Sequence, residues 1–367
     1  MSGMSSSEPL SRAQCNALRG IAIAAIVLHN YCHWLGFAVK ENEYRFFADR
    51  PALFMDKLLS WDGDLFVHFF SFLGHYGVPL FLFLSGYGLV RKYEQGVTPA
   101  PAAWRFLVCH YLKLLRLMII GYVVFIGVYC LRSANAAEVF SADRVAAQLT
   151  MVINFVYAAP DRVIRPGPYW FFGLMMQLYA LYILLLYRNR KTAVALAVVV
   201  ACCIVQMLCA TGEALNYARY NFVGGALPFV AGILFARHGR CRFQPRPMGR
   251  FSSRPLIILV CLAVILVSAA AVLYGGMLFE TWLWVPLFVV VGAIATVRLL
   301  PAPVLRGCAW LGGLSATLFV VHPLIREMVI THYRHIDIYC GLVVYALAAI
   351  AGAMLLRFIL AKLPDVR

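Results

Sequence analysis

Ten apolar stretches, each about as long as a membrane is thick, constrain this chain more than any motif in it. A bilayer core of about 30 Å is crossed by about 20 helical residues rising 1.5 Å each. That ruler picks out segments 17–38, 64–90, 104–131, 168–187, 193–211, 220–236, 255–274, 278–300, 308–332 and 340–361. Lipid offers no hydrogen-bond partner to an open sheet edge, so stretches of this length read as helices. The expected fold is all-α: a polytopic integral membrane protein of about ten transmembrane helices. The stretch 139–158 is interrupted by Arg144 and Gln148 and reads as an amphipathic element in a loop outside the membrane. Glycine and proline in GHYGVPLF (74–81) should interrupt the second helix, and broken helices at depth commonly line a cavity.

Composition agrees with this solvent. Hydrophobic residues make up 63% of the chain and charged residues 13%, against roughly 45–50% apolar residues in soluble domains. The net charge of +16, from 32 Lys and Arg against 16 Asp and Glu, would suit nucleic acid were it clustered on one surface. It falls instead in short runs between apolar segments, the pattern of cytoplasmic loops, and no nucleic-acid partner is expected. One set of alternate loops holds Arg91, Lys92, Arg105, Arg188, Arg190, Lys191 and a basic, proline-punctuated tract over 237–254. The other set is sparser and offset by Glu41, Glu43, Asp49 and Asp56. Both termini are therefore expected in the cytoplasm, with 1–16 a short leading segment, 17–361 one membrane domain and 362–367 a tail. The 237–254 tract reads as a topology-setting loop that touches anionic lipid head groups. The 11 cysteines form no CxxC pair. Most sit in apolar stretches as small hydrophobes, so neither a metal site nor a disulfide framework is expected.

An ionisable group at bilayer depth costs a few kcal/mol or more and needs a function or a buried partner. The predicted spans hold Arg19, His29, His33, His68, His75, His110, Lys113, Arg116 and His322, whereas carboxylates such as Asp64, Glu280 and Glu327 lie near segment ends. A proton-coupled porter would normally place a carboxylate within its spans. With the first helix running outward, Arg19 lies near the inner surface and His29 about 15 Å further in. Lys113 and Arg116 enter from the same side, so cations meet in the inner half of a bundle whose middle holds histidines. Cations there suit an anionic, phosphate-bearing cytosolic ligand, and a neutral imidazole suits proton abstraction. Arg19 and Arg116 also fit as snorkelling anchors, His68 and His75 as helix-packing hydrogen bonders, and His110 as a surface residue without a specific role.

The segments bearing these residues resemble the acyltransferase 3 family of bacterial integral membrane acyltransferases. NALRGIAIAAIVLHNYCHW is similar to that family's opening helix, with Arg19 at its start and a histidine about three turns later. GVPLFLFLSGYGL (77–89), which contains Ser85, is close to its apolar run ending in Ser-Gly-aromatic. Lys113-Leu-Leu-Arg116 is similar to its paired basic residues, although Lys replaces the usual first Arg and no Pro follows. PYWFFGLMMQLYALYILL resembles its Trp-led helix, with Gln177 where a Glu often stands, and LGGLSATLFVVHPLI resembles its Ser-to-His-Pro segment, which includes His322. The spacing in the first helix departs from the pattern. The family usually has ten residues between Arg and His, whereas nine separate Arg19 and His29, and Asn30 stands at the usual His position. At about 100° per residue, eleven steps return to within roughly 20° of one face and ten steps miss it by about 80°. Either a local bulge restores the geometry, or His29 and His33, one turn apart, divide the role.

The resemblance implies a membrane O-acyltransferase of the bacterial cytoplasmic membrane. It would move an acyl group, most often acetyl, from acetyl-CoA to a hydroxyl of a surface glycan or lipid-linked saccharide, with no permanently bound cofactor. Arg19, Lys113 and Arg116 would hold the donor phosphates, and His29, or His33 in its place, would act as base. Ser85, Tyr169, Trp170 and His322 would contribute to substrate binding. Two other readings fit a chain of this kind. A transporter or flippase would move a glycan or lipid without chemistry, and a glycan polymerase or ligase would bind phosphate from the outer side.

Overall fold

Residues 9–61, 63–97, 99–210, 212–239 and 254–364 are described by a computed structural model, and helices are the only regular secondary structure among them. Helix α1 (Arg12–Cys32) starts at a capping box, in which Ser11 and Gln14 exchange side-chain and backbone hydrogen bonds. An 11-residue helix, α2 (Arg50–Ser60), precedes α3 (Leu65–Leu73). A 3₁₀ turn at Gly74–Tyr76 then leads into α4 (Gly77–Tyr93), so the second apolar segment is interrupted at its glycines. After the 30-residue α5 (Ala103–Arg132), four short helices between Ala136 and Val163 occupy the stretch expected to lie outside the membrane. Beyond these come α6 (Trp170–Leu181), α7 (Thr192–Cys209), α8 (Phe222–His238) and α9 (Arg254–Gly275). The chain continues through α10 (Val285–Leu299), α11 (Ala302–Gly313), α12 (Ser315–Tyr333) and α13 (Ile338–Ala361).

Each of the ten apolar segments contains a helix, but they do not pass the same physical test. Among the described residues, seven continuous or nearly continuous helical spans are long and apolar enough to cross a membrane, and an eighth results if the bent pair Glu213–Tyr220 and Phe222–His238 is one span. Helix α10, at 15 residues, is shorter than a bilayer requires. Helix α1 has the length but not the hydropathy, because Arg12, Gln14, Asn16, Arg19, His29 and Asn30 lie along it. Its polar residues are what make it the central helix of the bundle: it packs against α3, α4, α11 and α12. Water-driven burial is absent between helices in lipid, so close approach of backbones must supply contact. Glycines allow it, and at two crossings they act in reciprocal pairs. A Cβ on Gly20 would lie 1.9 Å from the Cys308 carbonyl oxygen, and one on Gly312 would lie 1.9 Å from that of Asn16. Across α4 and α8, Gly86 meets Phe229 and Gly232 meets Phe83 in the same reciprocal way.

The polar ends are tied by ion pairs. Arg237 in the last turn of α8 makes a bidentate bridge to Glu94, 2.8 Å on each arm, with both side chains buried and Tyr182 donating to the same carboxylate. Arg237 is therefore a structural residue of the basic tract predicted over 237–254; residues 240–253 of that tract lie outside the described residues.

Candidate active site

The last turn of α1 points two imidazoles into one cavity. Helix α1 is regular through His29, with no bulge, and His33 caps it, its backbone N–H donating to the His29 carbonyl. The shortened Arg-to-His spacing is thus not restored by the backbone. Instead His29 and His33 lie side by side with ring centroids 5.0 Å apart. Asn30, one residue on, lines the same cavity. Its amide donates to the Ile26 carbonyl and its oxygen accepts from Arg326 of α12.

Hydrogen-bond partners fix the tautomers, because a carbonyl oxygen can only accept. His29 Nδ1 lies 3.0 Å from the Ser71 carbonyl, so Nδ1 bears the proton and Nε2 keeps a lone pair. His75, whose ring centroid is 5.9 Å from that of His29, is held in the same tautomer by the Phe72 carbonyl, and its buried Nε2 has no partner. His33 donates Nδ1–H to Glu41 Oε2 at 2.8 Å. The pairing of a buried carboxylate with an imidazole is the arrangement that holds a catalytic base in one orientation and favours its protonated form.

The loop 33–49 holds this carboxylate by its backbone. Lys40 donates to the His33 and Leu35 carbonyls at the end of α1, where the helix dipole favours a cation. Arg50 donates to the Glu41 carbonyl, Trp282 donates to the Asn42 carbonyl, and the Asn42 side chain exchanges two hydrogen bonds with Phe47. His68 accepts from the Val39 N–H, and the Ser71 hydroxyl donates to the Val39 carbonyl. Burial pushes the Glu41 carboxyl up, but the facing His29 and His33 more than reverse this and hold it well below the usual carboxylate range. Two residues on, burial and the Glu41 charge push the Glu43 carboxyl up to about 8.

The cavity has a volume of about 570 Å³ and is lined by His29, His33, Glu41, Trp170, Arg165 and Arg326 among others, within the size range of small-molecule sites. His29, His33 and Glu41 place three ligand atoms within 4.8 Å of one another, a set that could also hold a metal ion.

Of the other residues singled out from sequence, Trp170 reaches the cavity. Tyr169 is buried beside it and donates to the Val320 carbonyl. His322 is fully buried with Nδ1 on the Leu318 carbonyl and an unpartnered Nε2, and it is not part of the lining. Ser85 is half-buried in α4, outside the lining. Arg19 donates to Asn16 near the opposite end of α1. Arg116 donates to the Leu360 and Leu363 carbonyls at the end of α13, and Lys113 is exposed. These three cations do not line the cavity. Sequence reasoning missed Glu41, treated there as a loop charge, and no local pattern distinguishes it. Arg326 was visible: it is a cation inside the ninth predicted segment, one helical turn past His322.

The acyltransferase domain family, acyltransferase 3, matches residues 12–362. The chain belongs to that family. No curated protein and no solved structure matches it significantly. Membership makes this a multi-pass membrane acyltransferase, and the imidazole–carboxylate cluster at the end of α1 is its candidate active site.

Proposed function

We propose that this acyltransferase moves an acetyl group from a cytosolic acyl-CoA to a hydroxyl of a cell-surface glycan or lipid-linked saccharide. The observation that supports this reading is the pair of imidazoles, His29 and His33, at a cavity wall, one of them backed by buried Glu41. In the step proposed, the acceptor oxygen attacks the thioester carbonyl carbon while its proton passes to a histidine Nε2. The carbon–sulfur bond then breaks, and the departing thiolate takes that proton, leaving ester and free thiol. His33, with Glu41 behind it, is the base that gains most from a carboxylate partner, and His29 orients the hydroxyl or takes the role itself.

The reading further has ten spans, both termini in the cytoplasm of a bacterial inner membrane, and the cavity toward the outer face. Arg19, Lys113 and Arg116 then lie toward the cytoplasmic end, where they would meet the donor phosphates, about 15 Å along α1 from His29. Transfer from radiolabelled acetyl-CoA in inside-out vesicles tests this, comparing wild type with His29→Ala, His33→Ala and Arg19→Ala. Label in glycan or lipid, lost in either histidine variant, is the expected result. No thioester consumption while a labelled glycan still crosses the membrane would replace the enzyme with a transporter.

A further inference from the structure

Four arginines and four carboxylates line the cavity, and Arg45 is the arginine most fully paired. Arg45 bridges Asp161 at 3.1 Å and Glu213 at 2.8 Å, and Glu41 holds His33. Arg50 is taken by the Glu41 carbonyl and the Phe47 ring, which leaves Arg326 and Arg165. Arg326 is only 4% exposed, and its one ion pair among the described residues is long, 3.6 Å from Nη2 to Oε2 of the more exposed Glu327. It donates Nη1–H to the Asn30 oxygen, stacks its guanidinium 4.4 Å from the Trp34 ring centre, and leaves its buried Nε–H without a partner. Among the described residues, Arg165 donates to backbone carbonyls alone, those of Asp161 and Ile164, both taken by Nη1. A buried guanidinium is costly unless its charge is met and its N–H groups are used. Here the unpartnered buried N–H belongs to Arg326, which lines the same cavity as the imidazole pair, as does half-buried Arg165.

From this we infer that the acceptor is an anionic hydroxyl compound, whose carboxylate or phosphate is taken by Arg326 and Arg165 while its hydroxyl lies against His29 and His33. The inference rests on the acyl-transfer reading for the role of the ligand, but binding of the anion does not depend on turnover. A guanidinium presents paired N–H groups that match two oxygens of a carboxylate or phosphate, which a neutral sugar cannot offer. Trp34 and Trp170 on the same walls provide flat apolar faces for a sugar ring.

The test is ligand-induced thermal stabilisation of the detergent-purified full-length protein at constant ionic strength, with glucuronate, glucose 6-phosphate, glucose and acetyl-CoA as separate probes. Glucuronate or glucose 6-phosphate should raise the melting temperature and glucose should not; which of the two acts tells carboxylate from phosphate. Arg165→Gln, at a half-buried position that leaves the fold intact, should weaken the effective anion about tenfold or more, and Arg326→Gln should do the same. The acetyl-CoA shift should survive both substitutions. Equal shifts with glucose and glucuronate, or anion shifts that survive both substitutions, would overturn the inference. So would loss of the acetyl-CoA shift alone, which would assign these arginines to the donor. Acyl transfer measured separately tells failure of this inference from failure of the acyltransferase reading, since thioester consumption by an enzyme indifferent to these anions leaves the latter standing.

Discussion

Replacing Glu41 by Gln removes a charge while keeping an oxygen able to accept the His33 Nδ1–H, so it isolates electrostatic support from geometry. When His33 takes a proton, the carboxylate 2.8 Å from Nδ1 stabilises the imidazolium. Coulomb's law at an effective dielectric of about 20 gives about 6 kcal/mol as the limit for this separation. The His33 side chain is 33% exposed and Glu41 6%, so water screens part of that attraction, and about 2–4 kcal/mol is the working value. At about 1.4 kcal/mol per decade, kcat in the Gln variant should fall roughly 30-fold to 10³-fold. KM for acetyl-CoA should be unchanged, because Glu41 lies at the far end of α1 from Arg19. The assay is steady-state thioester consumption in vesicles or nanodiscs, with a melting temperature recorded beside it. A kcat within about threefold of wild type, in protein of unchanged stability, refutes the argument that Glu41 supports a base at His33.

Other outcomes follow from packing and charge. Gly20→Val should destabilise by about 2 kcal/mol or more, because a side chain there must push the Cys308 carbonyl away from α1; a melting temperature equal to wild type would show the helix crossing to be looser than described. Glu94→Gln leaves Arg237 buried without its partner and should cost about 3–5 kcal/mol, measurable as lost thermal stability or yield of monodisperse protein. The Glu43 carboxyl, raised to about 8 from an ordinary 4.5, gives stability that is fully present below 4.5 and is lost as pH rises toward 8. Melting temperature should fall across that window, and Glu43→Gln should flatten the fall. Finally, His29, His33 and Glu41 together could hold a divalent ion; elemental analysis of purified protein should find substoichiometric metal if hydrogen bonding alone organises them, and one equivalent per chain, lost in His33→Ala, if it does not.

Helix positions were legible in the sequence because the membrane imposes one length and one polarity on them. Every apolar segment holds a helix, and the 74–76 interruption falls at the glycines expected to cause it. The number of crossings was less legible, since α1 trades hydropathy for the polar residues it places inside the bundle and α10 is short. His29 and His33 could be named because histidines within an apolar run stand out. Glu41 could not, because what makes it special is burial by a loop held through backbone carbonyls, which no spacing rule reports. Grouping Arg19, Lys113 and Arg116 rested on depth and on the family resemblance; depth does not fix direction, and Arg116 turns toward the end of α13.

The 3₁₀ turn beneath the site has a bearing on how this enzyme can be changed. A Cβ on Gly74 would lie 2.5 Å from the Ala25 carbonyl oxygen and 2.6 Å from His29 Cβ, and one on Gly77 would lie 2.3 Å from the Ala22 carbonyl oxygen. Main chain therefore rests directly on the helix that presents His29, with no side chain between them to vary. Other walls of the cavity carry Tyr44, Arg165 and Trp170, which come from loops or helix ends distant in sequence from that contact. A library confined to those walls can alter which hydroxyl compound enters without moving the imidazole, whereas any substitution at Gly74 shifts the imidazole whatever the acceptor. Redesign of acceptor range and preservation of the reacting group are thereby separable along the chain.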